Sequence, residues 1–244
     1  MSKFINSVSI MDIPFINMSQ NELLQQHIYP RLQSHEKTFI VTANPEIVMQ
    51  AKEQPEYKSL LKEADFITPD GAGIVIASRF LGNPIKSRLP GFDLMTSLIG
   101  YAEEKQLSCY FLGATKDVND KLVKRLKELH PYLKIAGHHH GFFDLTDRSI
   151  VEEVKKAQPD FVFIALGSPA QEKWITTYKN EFEKGLFMGV GGSFDVIAGE
   201  VKRAPELWIN LNLEWLYRLI KQPFRWKRIL KVFEFMFRII LKKF

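Results

Sequence analysis

From Thr38 onward the chain alternates short apolar runs with longer stretches in which apolar residues recur at helical spacing. "TFIVTAN" (Thr38 to Asn44), "ADFITPD" (Ala64 to Asp70), "LSCYFLGA" (Leu107 to Ala114), "LKIAGHH" (Leu133 to His139), "DFVFIALG" (Asp160 to Gly167) and "LFMGVG" (Leu186 to Gly191) have the length and near-continuous apolarity of buried strands. A helical pattern follows each one. This rhythm of βα units predicts right-handed crossovers and an open, mainly parallel sheet flanked by helices on both faces, a Rossmann-like α/β fold. Ahead of it, "SVSIMDIPFINM" predicts a small N-terminal hairpin around Asp12 to Pro14, leading into a helix that starts after Ser19.

The pattern changes after Gly199. The remaining stretch has no strand-like run, holds three of the four tryptophans and is interrupted by Pro205 and Pro223, so two or three helices are expected. The division this implies is a core over 1–199 and a helical C-terminal appendage over 200–244. In the last helix Lys227, Lys231, Glu234, Arg238 and Lys242 fall on one polar stripe, and Phe233, Phe235, Met236, Phe237, Ile239, Ile240 and Leu241 cover the rest. A helix lying in a membrane interface, lysines toward anionic headgroups, satisfies both sets. Packing on the domain or in a homo-oligomer is the alternative use of so much apolar surface.

Charge sharpens that contrast. The chain carries 33 Lys and Arg against 28 Asp and Glu, a net +5, but Lys221 to Phe244 alone holds eight basic residues against Glu234, or +7. The rest of the chain is therefore at −2, and the basic tail points to a polyanionic partner. Nucleic acid fits poorly, because the basic residues share their segment with many large apolar ones. The single cysteine, Cys109, forms no internal disulfide, no secretory-type leader pattern opens the sequence, and no window approaches the roughly 18 apolar residues of a membrane span. A cytoplasmic protein that reaches the membrane from its inner face is the expectation.

In an open α/β sheet, ligands bind beyond the carboxyl ends of the strands, where the following helices present free N–H groups. The candidates at those ends are Thr42 and Asn44, Asp70 with Gly71 and Gly73, Gly113 to Thr115, Gly167 to Gln171, and Gly189 to Asp195. Asp70 sits on a tight strand-to-helix turn where a carboxylate can meet a substrate hydroxyl; its plainer reading is a helix N-cap. Asn44, before Pro45, can likewise be only a cap. Gln171 can hydrogen-bond a sugar hydroxyl or simply face solvent in a first helical turn. Asp195 is either a cap or an acceptor for a base N–H.

"MGVGGSFDVIAGE" approaches a dinucleotide fingerprint, yet Phe194 stands where the third glycine is required, which argues against an NAD-dependent oxidoreductase. The adjacent histidines of "HHHGFF" alternate faces on a strand and lack companions at metal-ligand spacing, and no D-x-D pair holds a cation against a diphosphate. No metal or other cofactor is expected. A bound diphosphate then calls for arginine, whose fork of donors fits phosphate oxygens, and Arg88, Arg218, Arg225 and Arg228 are available.

"TANPEIVM", "ADFITPDGAGIV", "RLPGFDL", "FLGA", "GSPAQEKWI", "GGSFDVIAGEVKRAP" and "LEWLYRLIKQPFRWKR" occur in this order, and over about Val8 to Arg228 the chain resembles the WecG/TagA/CpsF glycosyltransferase family. The resemblance implies a membrane-associated enzyme that moves a sugar from a UDP donor to a sugar on undecaprenyl diphosphate. In the teichoic-acid branch that transfer passes N-acetylmannosamine to N-acetylglucosamine and forms the linkage-unit disaccharide; other branches use N-acetylmannosaminuronic acid or other sugars. The resemblance implies a catalytic base at Asp70, donor-sugar contacts at Thr42 and Asn44, further active-site residues at Arg88 and Gln171, and tail arginines at Arg218, Arg225 and Arg228 that hold the diphosphate. A non-catalytic membrane-binding module that uses only the basic tail is the rival from another class, and it leaves the strand-end residues without a purpose.

Overall fold

A computed structural model describes residues 6–211, 213–221 and 226–241, with the side chains of Asn210, Arg218 and Lys227 excepted. Arg225, the Arg218 side chain and Lys242 therefore lie outside the described residues. Two strands, β1 (Ser7–Ile10) and β2 (Ile13–Ile16), form an antiparallel hairpin. Its turn is Met11–Asp12, both left-handed (φ 52° and 62°), as a two-residue turn between right-twisted strands requires. Pro14 is thus not in the turn but on β2, opposite Ser9. The helix after Ser19 opens with a reciprocal cap: the Glu22 N–H donates to Ser19 Oγ at 3.2 Å and the Ser19 N–H to Glu22 Oε2 at 2.7 Å.

The six remaining strands are β3 (Thr38–Ala43), β4 (Phe66–Pro69), β5 (Ser108–Gly113), β6 (Lys134–His139), β7 (Phe161–Ala165) and β8 (Leu186–Gly189). All pair in parallel, in the order β4-β3-β8-β7-β5-β6, and the hairpin packs beside β4. Their near-continuous apolarity follows from burial on both faces. Successive residues alternate between two cores: Phe39, Val41, Val162, Ile164 and Phe187 point to one, and Ile40, Phe161, Phe163, Leu186 and Met188 to the other. The fold is an α/β sheet flanked by helices, with the hairpin at its start and helices at its end.

Among the described residues the C-terminal stretch holds the helices Glu206–Asn210, Glu214–Lys221 and Trp226–Ile240. The last packs on the helices Pro45–Glu53 and Ala72–Phe80, where Phe235 and Ile239, one turn apart, are 0% and 1% exposed in the same core as Val48 and Ile74. The expectation of one apolar face opposite one polar stripe is corrected here, because the apolar residues divide into two faces. Phe235 and Ile239 point inward, whereas Leu230, Phe233, Phe237 and Ile240 are exposed on the opposite side. Lys231, Glu234 and Arg238 lie between them, Lys231 pairing with Glu53 of the neighbouring helix at 2.8 Å and Arg238 with Glu234 at 2.7 Å.

Candidate active site

The sheet order decides where a ligand can sit. Strands β4, β3, β8 and β7 are neighbours, and the loops at their carboxyl ends surround one cleft of about 600 Å³, a size suited to a small organic ligand. The N-termini of the helices Pro45–Glu53, Ala72–Phe80 and Ala170–Tyr178 open onto it, so partial positive charge converges on its floor. Thr42, Asn44, Asp70, Arg88, Gln171, Asp195 and Arg228 all line this cleft. The Gly113 to Thr115 end does not, since β5 lies outside β7; Thr115 caps its helix and the Asn119 amide ties Gly113 to His139.

Each residue reaches the cleft for a local reason. The Asp70 N–H donates to the Ala43 carbonyl at 2.9 Å, extending the β3–β4 ladder by one step. Gly71 then turns the chain at φ +86°, a conformation glycine adopts without steric penalty, and itself stands at the N-cap of Ala72–Phe80. The N-cap position thus falls on Gly71, and Asp70 lines the cleft immediately before it. The Leu89 N–H donates to the Pro69 carbonyl at 2.8 Å, which pins the loop carrying Arg88 beside Asp70. Asn44 does act as a cap, its Oδ1 accepting from the Ile47 N–H at 3.0 Å, while its amide also lines the cleft.

Close packing explains Gly73, Gly91 and Gly189, whereas a Cβ on Gly191 would meet nothing within 4 Å. A Cβ on Gly73 would lie 2.6 Å from Pro45 Cγ, and one on Gly91 would lie 2.7 Å from Thr42 Oγ1, so two helix starts press against β3's exit. A Cβ on Gly189 would lie 2.5 Å from Gln171 Nε2. The glycines of "MGVGG", read from sequence as room for a phosphate or base, instead include one that makes room for a side chain. Gln171 is correspondingly 5% exposed rather than solvated. Gly189→Ala is expected to displace the Gln171 amide and cost roughly 1–3 kcal/mol through overpacking. Thermal melts together with ligand titration of the variant check this; an unchanged melt with unchanged affinity would contradict it.

Asp195 lies in the first turn of Ser193–Ile197, whose N-cap position is Gly192, and its carboxylate accepts from a backbone N–H of that turn while lining the cleft. Burial pushes its carboxyl up from the ordinary value, with a smaller push from Glu200. Arg88 is 16% exposed and stands 3.7 Å from Glu214 Oε2, an oxygen contributed by the C-terminal segment. Arg228, from the last helix, stands 3.4 Å from Glu46. The appendage therefore forms one wall of the cleft, with Trp215 and Leu219 beside these charges. Sequence reasoning missed Glu214 and also Arg203, which lies over the Phe92 ring at 4.6 Å and pairs with Asp93 at 2.5 Å on the cleft's rim. The signal for Arg203 was the "VKRAP" run, which reads as an ordinary basic turn. No group of three or more His, Cys, Asp and Glu suited to a metal occurs among the described residues.

A carboxylate at a strand end, helix N-termini and arginines from two parts of the chain meet in one cleft of an α/β fold. The chain belongs to the glycosyl transferase WecG/TagA/CpsF family, whose model matches residues 8–244. Among its relatives are proteins named N-acetylglucosaminyldiphosphoundecaprenol N-acetyl-beta-D-mannosaminyltransferase. That of Bacillus spizizenii is 43% identical over 82% of this chain and 78% of its own. Those of Bacillus subtilis and Staphylococcus aureus are 40% identical, over 92% and 87% and over 91% and 86% of the two chains.

Proposed function

We propose that this protein transfers N-acetylmannosamine from UDP-N-acetylmannosamine to the 4-hydroxyl of N-acetylglucosamine on undecaprenyl diphosphate, in the synthesis of the wall teichoic acid linkage unit. The observation that carries the reading is the meeting of Asp70, Arg88 and the tail's Arg228 in one cleft. The relatives' names supply the acceptor, the sugar and the β configuration of the product. A donor with an α bond to UDP and a β product mean inversion, hence one displacement with attack and departure on opposite faces.

In that displacement Asp70 takes the proton from the acceptor hydroxyl as its oxygen forms the bond to the anomeric carbon. The bond from that carbon to the UDP oxygen breaks at the same time, and the electron pair leaves with UDP. Helix N-termini and the arginines Arg88 and Arg228 stabilise the charge that develops there, with Arg218 and Arg225 assigned the same task from sequence. Thr42, Asn44 and Gln171 contact the donor sugar, and Asp195 accepts from the uracil N–H. This distribution of charge does not call on a divalent ion, so turnover in EDTA should match turnover in added magnesium. A rate that collapses in EDTA and returns with the metal would contradict that expectation.

The acceptor is a membrane lipid, and among the described residues no helix is long and apolar enough to cross a membrane. The exposed face of Trp226–Ile240, with Leu230, Phe233, Phe237 and Ile240, suits shallow insertion at the inner face of the cell membrane, anionic lipid attracting the basic flank. That helix also carries Arg228, so one element both faces the lipid and walls the cleft. The direct test is a panel of UDP-sugars with a short-chain lipid-diphosphate N-acetylglucosamine acceptor. UDP release with N-acetylmannosamine alone supports the reading, and release with a different donor reassigns the substrate.

A further inference from the structure

Beneath the cleft lies a carboxyl group that the displacement above does not use. Glu172 is 1% exposed, and its Oε1 accepts from Gln171 Nε2 at 2.8 Å and from Ser168 Oγ at 3.1 Å. Its Oε2 is buried beside the Tyr57 hydroxyl, the two groups facing each other without a well-aligned hydrogen bond. On the other side of the same amide, the Gly191 N–H donates to Gln171 Oε1 at 3.3 Å, and Gly189, by lacking a Cβ, leaves the space that the amide occupies. A primary amide has two ends of opposite character, and here each end meets its complement. Rotating it by half a turn would set its oxygen against a carboxyl oxygen and its NH₂ against an N–H donor, losing two hydrogen bonds in a buried place.

We propose that Glu172 is a positioning residue that fixes the direction of the Gln171 amide, so that Gln171 meets a hydroxyl of the donor sugar with its remaining N–H. The inference rests on the glycosyl-transfer reading for the identity of the ligand, and on the hydrogen-bond geometry alone for the lock. Burial pushes the Glu172 carboxyl up from its ordinary value, against the opposing pull of the hydrogen bonds from Gln171 and Ser168. The lock holds in either protonation state when the proton is carried on Oε2, because Oε1 remains an acceptor. A hydroxyl both donates and accepts, so an amide free to flip would still bind it, but in two poses. Fixing the amide leaves one pose and one placement of the anomeric carbon.

The test pairs a substitution that removes the acceptor with one that keeps it. Glu172→Met, of similar volume, should lower kcat/KM for UDP-N-acetylmannosamine about tenfold, the scale of one hydrogen bond. Glu172→Gln, which can still offer an oxygen, should recover most of that loss. In a Gln171→Ala background, Glu172→Met should cost nothing further, because the residue acts through Gln171. An equal loss in both backgrounds, or none in the parent, would overturn the proposal. A second measurement needs neither a variant nor turnover: in the parent protein without substrate, nuclear magnetic resonance should show one Gln171 side-chain proton shifted and slow to exchange. Two averaged, fast-exchanging protons would overturn the lock, whereas this signature in a protein that fails to use any UDP-sugar would leave the lock standing and reject the function.

Discussion

Replacing Asp70 by Asn is expected to cut sugar transfer by roughly 10³-fold or more, while UDP-sugar affinity stays within a few fold and the melting temperature is unchanged. General-base assistance is worth about 10²–10⁴ in rate, and the loss here should lie toward the upper end because no second carboxylate stands on the same turn. Asn keeps the volume and the backbone bond from residue 70 to the Ala43 carbonyl, so the turn through Gly71 survives. Steady-state kinetics alongside a titration with UDP-sugar separates the two effects. A variant that binds donor and still turns over at more than a tenth of the parent rate would remove Asp70 from the role.

The second large effect belongs to the last helix, where two phenylalanines two positions apart have opposite duties. Phe235→Ala should destabilise the protein by about 3–5 kcal/mol, since it empties a fully buried aromatic site shared with Val48 and Ile74. For a chain of this size that corresponds to a fall in melting temperature of about 6–20 °C. Phe237→Ala, at a side chain 63% exposed, should leave the melt within about 0.5 kcal/mol and instead weaken binding to vesicles that contain anionic lipid. Melts and vesicle co-sedimentation of both variants check the assignment. Reversal of the two phenotypes would mean that the helix does not present the faces described.

These expectations show what was legible before any coordinates. The strands, their order of appearance and the presence of ligand-binding residues at their carboxyl ends follow from apolar runs and glycine-bearing turns, because burial on both faces of a parallel sheet leaves a strong local signature. Asp70, Asn44 and Gln171 could be singled out since each stands just past such a run. Their plainer readings could not be decided, because a cap differs from a cleft residue only by one turn of backbone: Gly71 takes the cap position from Asp70, whereas Asn44 keeps its own. Gln171 reads as solvated from sequence because the space it fills is made by Gly189, some eighteen residues away at the end of β8.

The appendage was least legible. A mixed apolar helix with a basic stripe is compatible with lipid, with the protein's own core or with both, and periodicity alone gives no weight to Phe235 over Phe237. That distinction comes from where the helices Pro45–Glu53 and Ala72–Phe80 stand. Glu214 and Arg203 escaped notice for a related reason, since an ion pair between distant segments leaves no spacing in the sequence. Their placement in the cleft joins the tail to the strand ends.

The central claim is that strand-end residues and the C-terminal helix act on one ligand in one cleft. Hydrogen exchange of the full chain with and without UDP tests it most directly. The account predicts simultaneous protection of three segments: the turn around 70–73, the loop around 189–193 and the first turns of the helix that begins at Trp226. Protection restricted to the two strand-end segments, with the helix unchanged by the nucleotide even on anionic vesicles, would contradict it.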